Sequence, residues 1–137
     1  MKATAAFGYP LALVLAPVLA LAQPAFQSPP AAFQTPSGNV HCLLRDAALR
    51  CEVLEHAFAP PQDCPQGWRG GIALRADGAT ELPCEGAPVR DDEAFVLGYG
   101  ARWEGPGITC RSEEAGLRCA NRAGRGFQVS RARLGLF

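Results

Sequence analysis

The sequence predicts an all-β fold, a small disulfide-stabilised sandwich or barrel built from short antiparallel hairpins. Three observations lead to this prediction. Short stretches of alternating apolar and polar residues recur between turns rich in Gly and Pro, as in small β-domains. No stretch of ten or more residues has the apolar spacing of a helix. The chain of 137 residues also contains six cysteines, and an even number in a small exported chain indicates a disulfide framework.

The N-terminus has the three parts of a signal peptide. Lys2 supplies the positive charge, residues 11–21 are apolar apart from Pro17, and residues 20–22 read Ala-Leu-Ala, a small-x-small cleavage site. The apolar run is shorter than the ~20 residues that a spanning helix needs. The segment therefore predicts export rather than a membrane anchor.

This interpretation divides the chain into three parts. Residues 1–22 are the expected signal peptide, and cleavage is expected between Ala22 and Gln23. Residues 23–36 are rich in Pro, Ala and Gln, which predicts a flexible arm. Residues 37–137 are the expected single disulfide-stabilised β-domain. We expect a periplasmic or extracellular location and no membrane span after cleavage.

The charge of the mature part argues against some partners. Lys2 is the only lysine, so the twelve cations that remain after cleavage are all arginines, opposite thirteen carboxylates. Because the chain is nearly neutral and contains no basic block, we expect neither nucleic acid nor anionic lipid as a partner.

Two segments with the same spacing predict two matching hairpins. In the first, Cys42 facing Cys51 puts Asp46 and Ala47 at the tip, and in the second the tip lies near Ala115. The matching pieces are Val40-x-Cys42 with Leu49-Arg50-Cys51, and Ile108-x-Cys110 with Leu117-Arg118-Cys119. A disulfide across neighbouring antiparallel strands is geometrically reasonable in each.

The cysteine spacing predicts three disulfides. Because the two repeats have the same spacing, a bridge across one hairpin supports the corresponding bridge across the other. The remaining two cysteines are paired by elimination. The predicted bridges are Cys42–Cys51, Cys64–Cys84 and Cys110–Cys119. No C-x-x-C pair is present and His41 and His56 stand apart, so we expect no metal and no cofactor.

Two further hairpins are predicted between the repeats. A three-residue turn at 76–78 sets Ile72 opposite Leu82 and gives one apolar face. A second short hairpin is expected between residues 94–97 and residues 101–103. A last strand is expected to start at Phe127.

Three strings resemble a family of small secreted bacterial domains of unknown function. They are Phe33-x-Thr35-Pro36-Ser37-Gly38-Asn39-Val40-x-Cys42, Gly107-Ile108-x-Cys110-x-Ser112-Glu113-x-x-Gly116-Leu117-x-Cys119-x-Asn121 and Gly124-x-Gly126-Phe127-x-x-Ser130-Arg131. The resemblance extends from Phe33 to the last residue. It implies export and a disulfide-stabilised domain, and it supplies no established activity from which catalytic residues could be transferred.

The best candidates for a binding site lie near the C-terminus and in one short turn. Arginines beside exposed backbone amides can bind carboxylate or phosphate, and exposed aromatic rings can anchor a sugar or a protein. The candidates are Arg122, Arg125, Ser130, Arg131, Tyr99 and Trp103. The alternatives are that the arginines are solvated or pair with Glu113, Glu114 or Asp91, and that the tryptophan belongs to the core.

These features favour a non-enzymatic binding module, for a protein or a cell-envelope ligand. One alternative is an inhibitor of an exported hydrolase such as a lysozyme or protease, because rigid loops suit that role. Another is a small hydrolase with an unfamiliar site that uses Ser130 or His41. The sequence contains no G-x-S-x-G elbow, and nothing in its spacing joins a serine to a histidine.

Overall fold

The chain forms a β-sandwich of two five-stranded sheets. The structure is a computed structural model that describes residues 1–22 and 28–137, and this part of the chain contains strands but no helix. The first sheet consists of β1 Ala32–Gln34, β2 Val40–Arg45, β3 Ala48–Val53, β4 Gly71–Arg75 and β5 Phe95–Val96. The second consists of β6 Arg102–Gly105, β7 Ile108–Glu113, β8 Gly116–Asn121, β9 Gly126–Val129 and β10 Leu134–Leu136. The predicted all-β fold is confirmed.

Each sheet is built around the same four-stranded meander. The strand order is β4-β3-β2-β1-β5 in the first sheet and β10-β9-β8-β7-β6 in the second, so β1–β4 and β6–β9 correspond. One buried row crosses each meander: Phe33, Cys42, Cys51 and Ile72 in the first sheet, and Trp103, Cys110, Cys119 and Phe127 in the second. These rows join one core cluster. The repeat in the sequence is therefore a repeat of supersecondary structure.

The two cysteine hairpins have the predicted register. Cys42 is the partner of Cys51, with Asp46 and Ala47 at the tip, where both residues have positive φ. The second hairpin pairs Cys110 with Cys119 in the same way. In both, mostly apolar side chains occupy every second position on the face that includes the cysteines, and this face of each hairpin lies in the core.

All three predicted disulfides are present. The bridges are Cys42–Cys51, Cys64–Cys84 and Cys110–Cys119. The first and third lie in the core, and every cysteine in them is at most 1 % exposed. The second joins two loops that flank β4 and is partly exposed.

The hairpin predicted after β4 is reduced to a single bridge. Ala73 and Glu81 exchange two backbone hydrogen bonds of 2.8 Å, which is the predicted register of Ile72 opposite Leu82. The chain beyond Glu81 then leaves β4, because Pro83 cannot donate to a sheet ladder.

The prediction of a hairpin between 94–97 and 101–103 is wrong. β5 lies in the first sheet, where it pairs with β1 in parallel, and Leu97 N donates to Gln34 O at 2.8 Å. β6 lies in the second sheet beside β7. The turn at 97–100 therefore carries the chain from one sheet to the other instead of folding it back on itself.

The predicted arm is shorter than 23–36. β1 lies within that segment, and the side chain of Phe33 is fully buried in the core. Pro30 is also fixed, because its carbonyl accepts a hydrogen bond of 2.8 Å from Nε1 of Trp103. Residues 23–27 of the expected arm, and Gln23 of the expected cleavage site, lie outside the described residues.

The expected signal peptide makes no strand and no helix. Residues 1–22 are exposed throughout. Over residues 1–22 and 28–137, the structure has no helix that is both long enough and apolar enough to cross a membrane.

Candidate functional site

β9 divides the predicted arginine cluster into two groups. Arg122 and Arg125 precede this strand, whereas Ser130 and Arg131 follow it. Four extended residues span roughly 13 Å, so the two groups lie at opposite ends of the sandwich. The structure therefore does not bring these four candidates together, although they are close in sequence.

The amide groups of the 122–126 turn are not available to an anion. Arg122 N donates to Gly107 O, Gly124 N donates to Asn121 O, and Gly126 N donates to Phe137 O, at distances of 3.0–3.1 Å. The remaining two amides of the turn donate to the side chain of Asn121. The predicted combination of arginines with free backbone amides is therefore corrected: the arginines are exposed, but all five amides are already bonded.

Asn121 connects this turn to the first sheet. Its Oδ1 accepts hydrogen bonds of 3.0 Å from Ala123 N and Arg125 N. Its Nδ2 donates to Arg75 O at 3.0 Å and to Gly78 O at 2.8 Å. This asparagine accordingly organises the turn, and it also fixes the loop after β4.

Trp103 lies in the core and does not offer a face to a ligand. Its side chain is 2 % exposed, and its ring lies 5.2 Å from that of Phe33 between centroids. Trp103 occupies the second sheet's buried row, in the place where the first sheet has Phe33. We therefore correct its assignment to a binding surface and leave it out of the candidate site.

A groove of about 1150 Å³ lies at the end of the sandwich that contains Ser130 and Arg131. Tyr99, which is 53 % exposed, also lines this groove. Three of the six predicted binding residues, Tyr99, Ser130 and Arg131, therefore line the same groove. The rest of the lining comes from segments that are far apart in the sequence. The walls are formed by Thr35, residues 37–40, Leu54, Glu55, Arg90, residues 113–117 and residues 128–133.

Two residues that sequence reasoning did not assign to the site hold the groove in shape. Asn39 Nδ2 donates to Glu55 O at 2.9 Å, and Glu55 N donates to Asn39 Oδ1 at 2.8 Å. These bonds fix the chain after β3 against the turn between β1 and β2. At Gly116 a Cβ would come within 2.5 Å of Val129 O, so only glycine lets the β7–β8 tip pack so closely against β9.

Both residues occur in the strings that carry the family resemblance. Asn39 lies within the first string and Gly116 lies within the second. The family resemblance therefore already singles out both residues. Without the fold, however, each is explained simply as a turn residue. Their shared position beside the groove becomes visible only in the fold.

The charged groups of the groove are exposed and mostly paired. Arg131 Nη1 lies 3.2 Å from Glu55 Oε2, so Arg131 pairs with this carboxylate rather than with any of the three predicted acids. Arg90 Nε lies 2.9 Å from Asp92 Oδ1. The hydrogen bond from Arg90 lowers the pKa of Asp92, and the same bond raises the pKa of Arg90. This ion pair is lost only as the pH falls through the lowered pKa of Asp92, and it contributes little because both groups face solvent.

His41 has a structural role at the end of the molecule that contains the groove. It is 1 % exposed, its Nδ1 accepts from Asp91 N at 3.3 Å, and its Nε2 donates to Gly38 O at 2.9 Å. Both ring nitrogens are therefore used to bind the connector before β5 to the first sheet.

The serines do not form a nucleophile with a histidine. Ser130 Oγ accepts hydrogen bonds from Ala132 N and Arg133 N at 3.2 and 3.3 Å, which closes the turn before β10. Ser112 is fully buried. Neither is hydrogen-bonded to a ring nitrogen within the described part of the chain, and no group of three potential metal ligands occurs in that part.

Fold and site together define a class of protein: a small, disulfide-held β-sandwich with an open, polar groove between loops at one end. Residues 12–137 match the model of a family described as a family of unknown function, DUF6636. Because the match covers most of the chain, the protein belongs to this family. Comparison with curated proteins and with solved structures found no match.

Proposed function

We propose that this protein is an exported, non-enzymatic binding module that holds a protein or cell-envelope ligand in the groove. Three disulfides in so small a chain are consistent with an oxidising, exported location. The signal-peptide pattern of residues 1–22 supports the same location. We further propose that the ligand is met in the periplasm or outside the cell.

The observation that carries this proposal is the construction of the groove. Its walls are loops fixed by hydrogen bonds and close packing rather than mobile tails, so little conformational entropy is lost when a ligand binds. Tyr99 presents a rigid amphipathic side chain at the rim, and tyrosine is enriched among residues that dominate binding energy. Arg131 and Ser130 add polar groups beside it.

Capture from envelope extract tests this proposal. Protein expressed from the full-length chain, purified in its oxidised form and immobilised, is expected to retain a partner. The variant Tyr99→Ala/Arg131→Ala is expected to lose it, because that variant removes an aromatic anchor and a charge from the groove. Phe95→Ala/Arg111→Ala is the matched control, since it removes an exposed aromatic side chain and an exposed arginine that do not line the groove. Equal capture by all three proteins would remove the groove from consideration.

A second candidate function, inhibition of an exported hydrolase, is favoured by charge. The groove lining contains three carboxylates, Glu55, Glu113 and Glu114, and three arginines, Arg90, Arg131 and Arg133. The connector that directly follows Arg90 adds Asp91, Asp92 and Glu93, so the lining and this connector together have more acid than base. Such an excess attracts a cationic enzyme and speeds the encounter. We propose Glu113 and Glu114, at the tip of the β7–β8 hairpin, as the residues that enter the enzyme's cleft.

Inhibition assays distinguish this second candidate from a simple binding module. A cationic lysozyme or protease should be slowed by micromolar protein, and Glu113→Gln/Glu114→Gln should relieve the inhibition. Glu52 and Glu85 lie away from the groove lining, and their replacement by Gln provides a control of equal charge. If every enzyme in a panel of this kind retains full activity, the inhibitor hypothesis is eliminated and the binding-module hypothesis remains.

A further inference from the structure

The end of the sandwich opposite the groove carries four exposed arginines. They lie in or next to the loops that close this end, and we call this surface the arginine end: Arg45, Arg75, Arg122 and Arg125. The same loops, at 45–48, 75–80, 105–108 and 121–126, contain only two carboxylates, those of Asp46 and Asp77. Four arginines and two carboxylates give this end a net positive charge.

The register of the first sheet brings two of these arginines onto one face. Arg45 is the Cα partner of Ala48, and Ala48 is the Cα partner of Arg75. Residues in one such row project to the same side of a sheet. Two strand spacings separate the outer members, so the Cα atoms of Arg45 and Arg75 lie about 10 Å apart.

The second sheet adds the other two arginines to this end. Arg122 and Arg125 lie in the turn that Asn121 organises. Asn121 also donates a hydrogen bond to the carbonyl of Arg75, which ties this turn to the end of β4. A Cβ on Gly107 would lie 2.7 Å from Ala76 Cβ and 3.7 Å from Arg122 Nε. The side chain of Arg122 therefore lies beside the turn that follows Arg75, and the arginines of the two sheets form one surface.

Unlike four of the eight other arginines, these four have no carboxylate partner in the described part of the chain. Arg90, Arg102, Arg111 and Arg131 are exposed and each is in an ion pair. None of the four arginines of the arginine end makes an ion pair with any residue in 1–22 or 28–137. Their guanidinium groups are therefore free to bind an anion.

We propose that the arginine end is a second binding surface, which takes an anionic polymer carrying phosphate groups along its length. A guanidinium group matches two oxygens of a phosphate. The four groups are spread over neighbouring loops, and none of them lines the groove or the smaller cavity of about 340 Å³. Because the arginines are spread over separate loops, an extended polymer can contact more of them at once than a single phosphate ion can, and it gains from their combined contacts.

A bilayer of anionic lipid fits this surface less well than a polymer does. Membrane binding by a basic surface is strengthened by apolar side chains that enter the lipid. Phe137 lies nearby, opposite Gly126, but Arg118 covers its ring at 4.0 Å from the centroid. The proposal does not depend on the groove or its ligand.

Binding of long-chain inorganic polyphosphate, followed by fluorescence anisotropy, tests the proposal on the full chain. The parent is expected to bind with an affinity that falls as salt rises. Arg75→Gln/Arg122→Gln/Arg125→Gln is expected to weaken binding about tenfold or more at low salt and to reduce the salt slope by roughly three. The control Arg69→Gln/Arg102→Gln/Arg111→Gln removes the same charge from exposed arginines outside the arginine end and the groove, and it is expected to bind like the parent.

Three results would overturn the proposal. Equal weakening in both triple variants would mean that only net charge matters. Orthophosphate that competes as well as polyphosphate, at equal phosphate concentration, would mean that no extended ligand is recognised. Binding to phosphatidylglycerol vesicles without binding to polyphosphate would assign the surface to a membrane. Thermal unfolding of each variant, expected to match the parent, keeps loss of fold from being mistaken for loss of binding.

Discussion

Replacing Cys110 and Cys119 together by Ala is expected to lower the free energy of unfolding by about 2–5 kcal/mol, as removal of a native disulfide does. Loop closure alone accounts for about 2.7 kcal/mol at this loop length. The remainder comes from packing, because both cysteines are fully buried between the two sheets. Urea unfolding of the oxidised proteins measures the difference.

The loop disulfide provides the control for this experiment. Cys64 and Cys84 close a longer loop, with a separation of 20 residues rather than 9. Loop closure therefore predicts a larger effect here, about 3.3 kcal/mol. The partly exposed position of this bridge predicts little additional loss from packing. We expect the Cys110/Cys119 variant to be the less stable of the two, and the reverse order would show that burial of the bridge in the core adds nothing.

The second large effect is expected from Trp103→Ala, which should cost about 3–5 kcal/mol, as deletion of a large buried aromatic side chain does. This change removes the contact with Phe33 and the hydrogen bond to Pro30 O, so it opens the core and releases the segment before β1. Thermal or urea unfolding gives the change in stability.

Trp103→Phe separates packing from hydrogen bonding at this position. It keeps an aromatic ring beside Phe33 but removes the donor and part of the indole volume, so a loss of about 1–3 kcal/mol is expected, smaller than for Trp103→Ala. Tyr99→Ala should change stability by no more than about 0.5 kcal/mol, because that side chain is exposed. A Trp103→Ala protein as stable as the Tyr99→Ala protein would contradict the assignment of Trp103 to the core.

Local patterns in the sequence are sufficient to predict the two cysteine hairpins. Alternation, a short tip and a pair of cysteines all agree on the register that places Cys42 opposite Cys51. The information lies within about a dozen residues, and each local preference supports the same pairing. The same repeats predict two of the three disulfides, and the third follows by elimination.

β5 could not be placed in this way. A strand of two residues has almost no periodicity, and both of its side chains are exposed. Its position depends on pairing with β1, some sixty residues earlier, and such long-range pairing leaves no local pattern. The sequence therefore suggested the nearest partner, β6, and the fold uses a distant one.

The candidate site was predicted only in part, for a related reason. Arg125 and Arg131 are near neighbours in sequence, but an extended strand between them sends them to opposite ends of the molecule. Conversely, Tyr99 and Ser130 are distant in sequence and line one groove. Proximity along a chain indicates proximity in space across a tight turn but not across a strand.

The central claim is that the groove is where this protein meets its ligand. Site-specific photocrosslinking in living cells tests it most directly, with a photoreactive phenylalanine analogue placed at Tyr99 and, as control, at Phe95. If the ligand binds in the groove, a defined covalent adduct forms from position 99 and none forms from position 95. Adducts of the same size from both positions, or from position 95 alone, would contradict it and place the binding surface elsewhere on the sandwich.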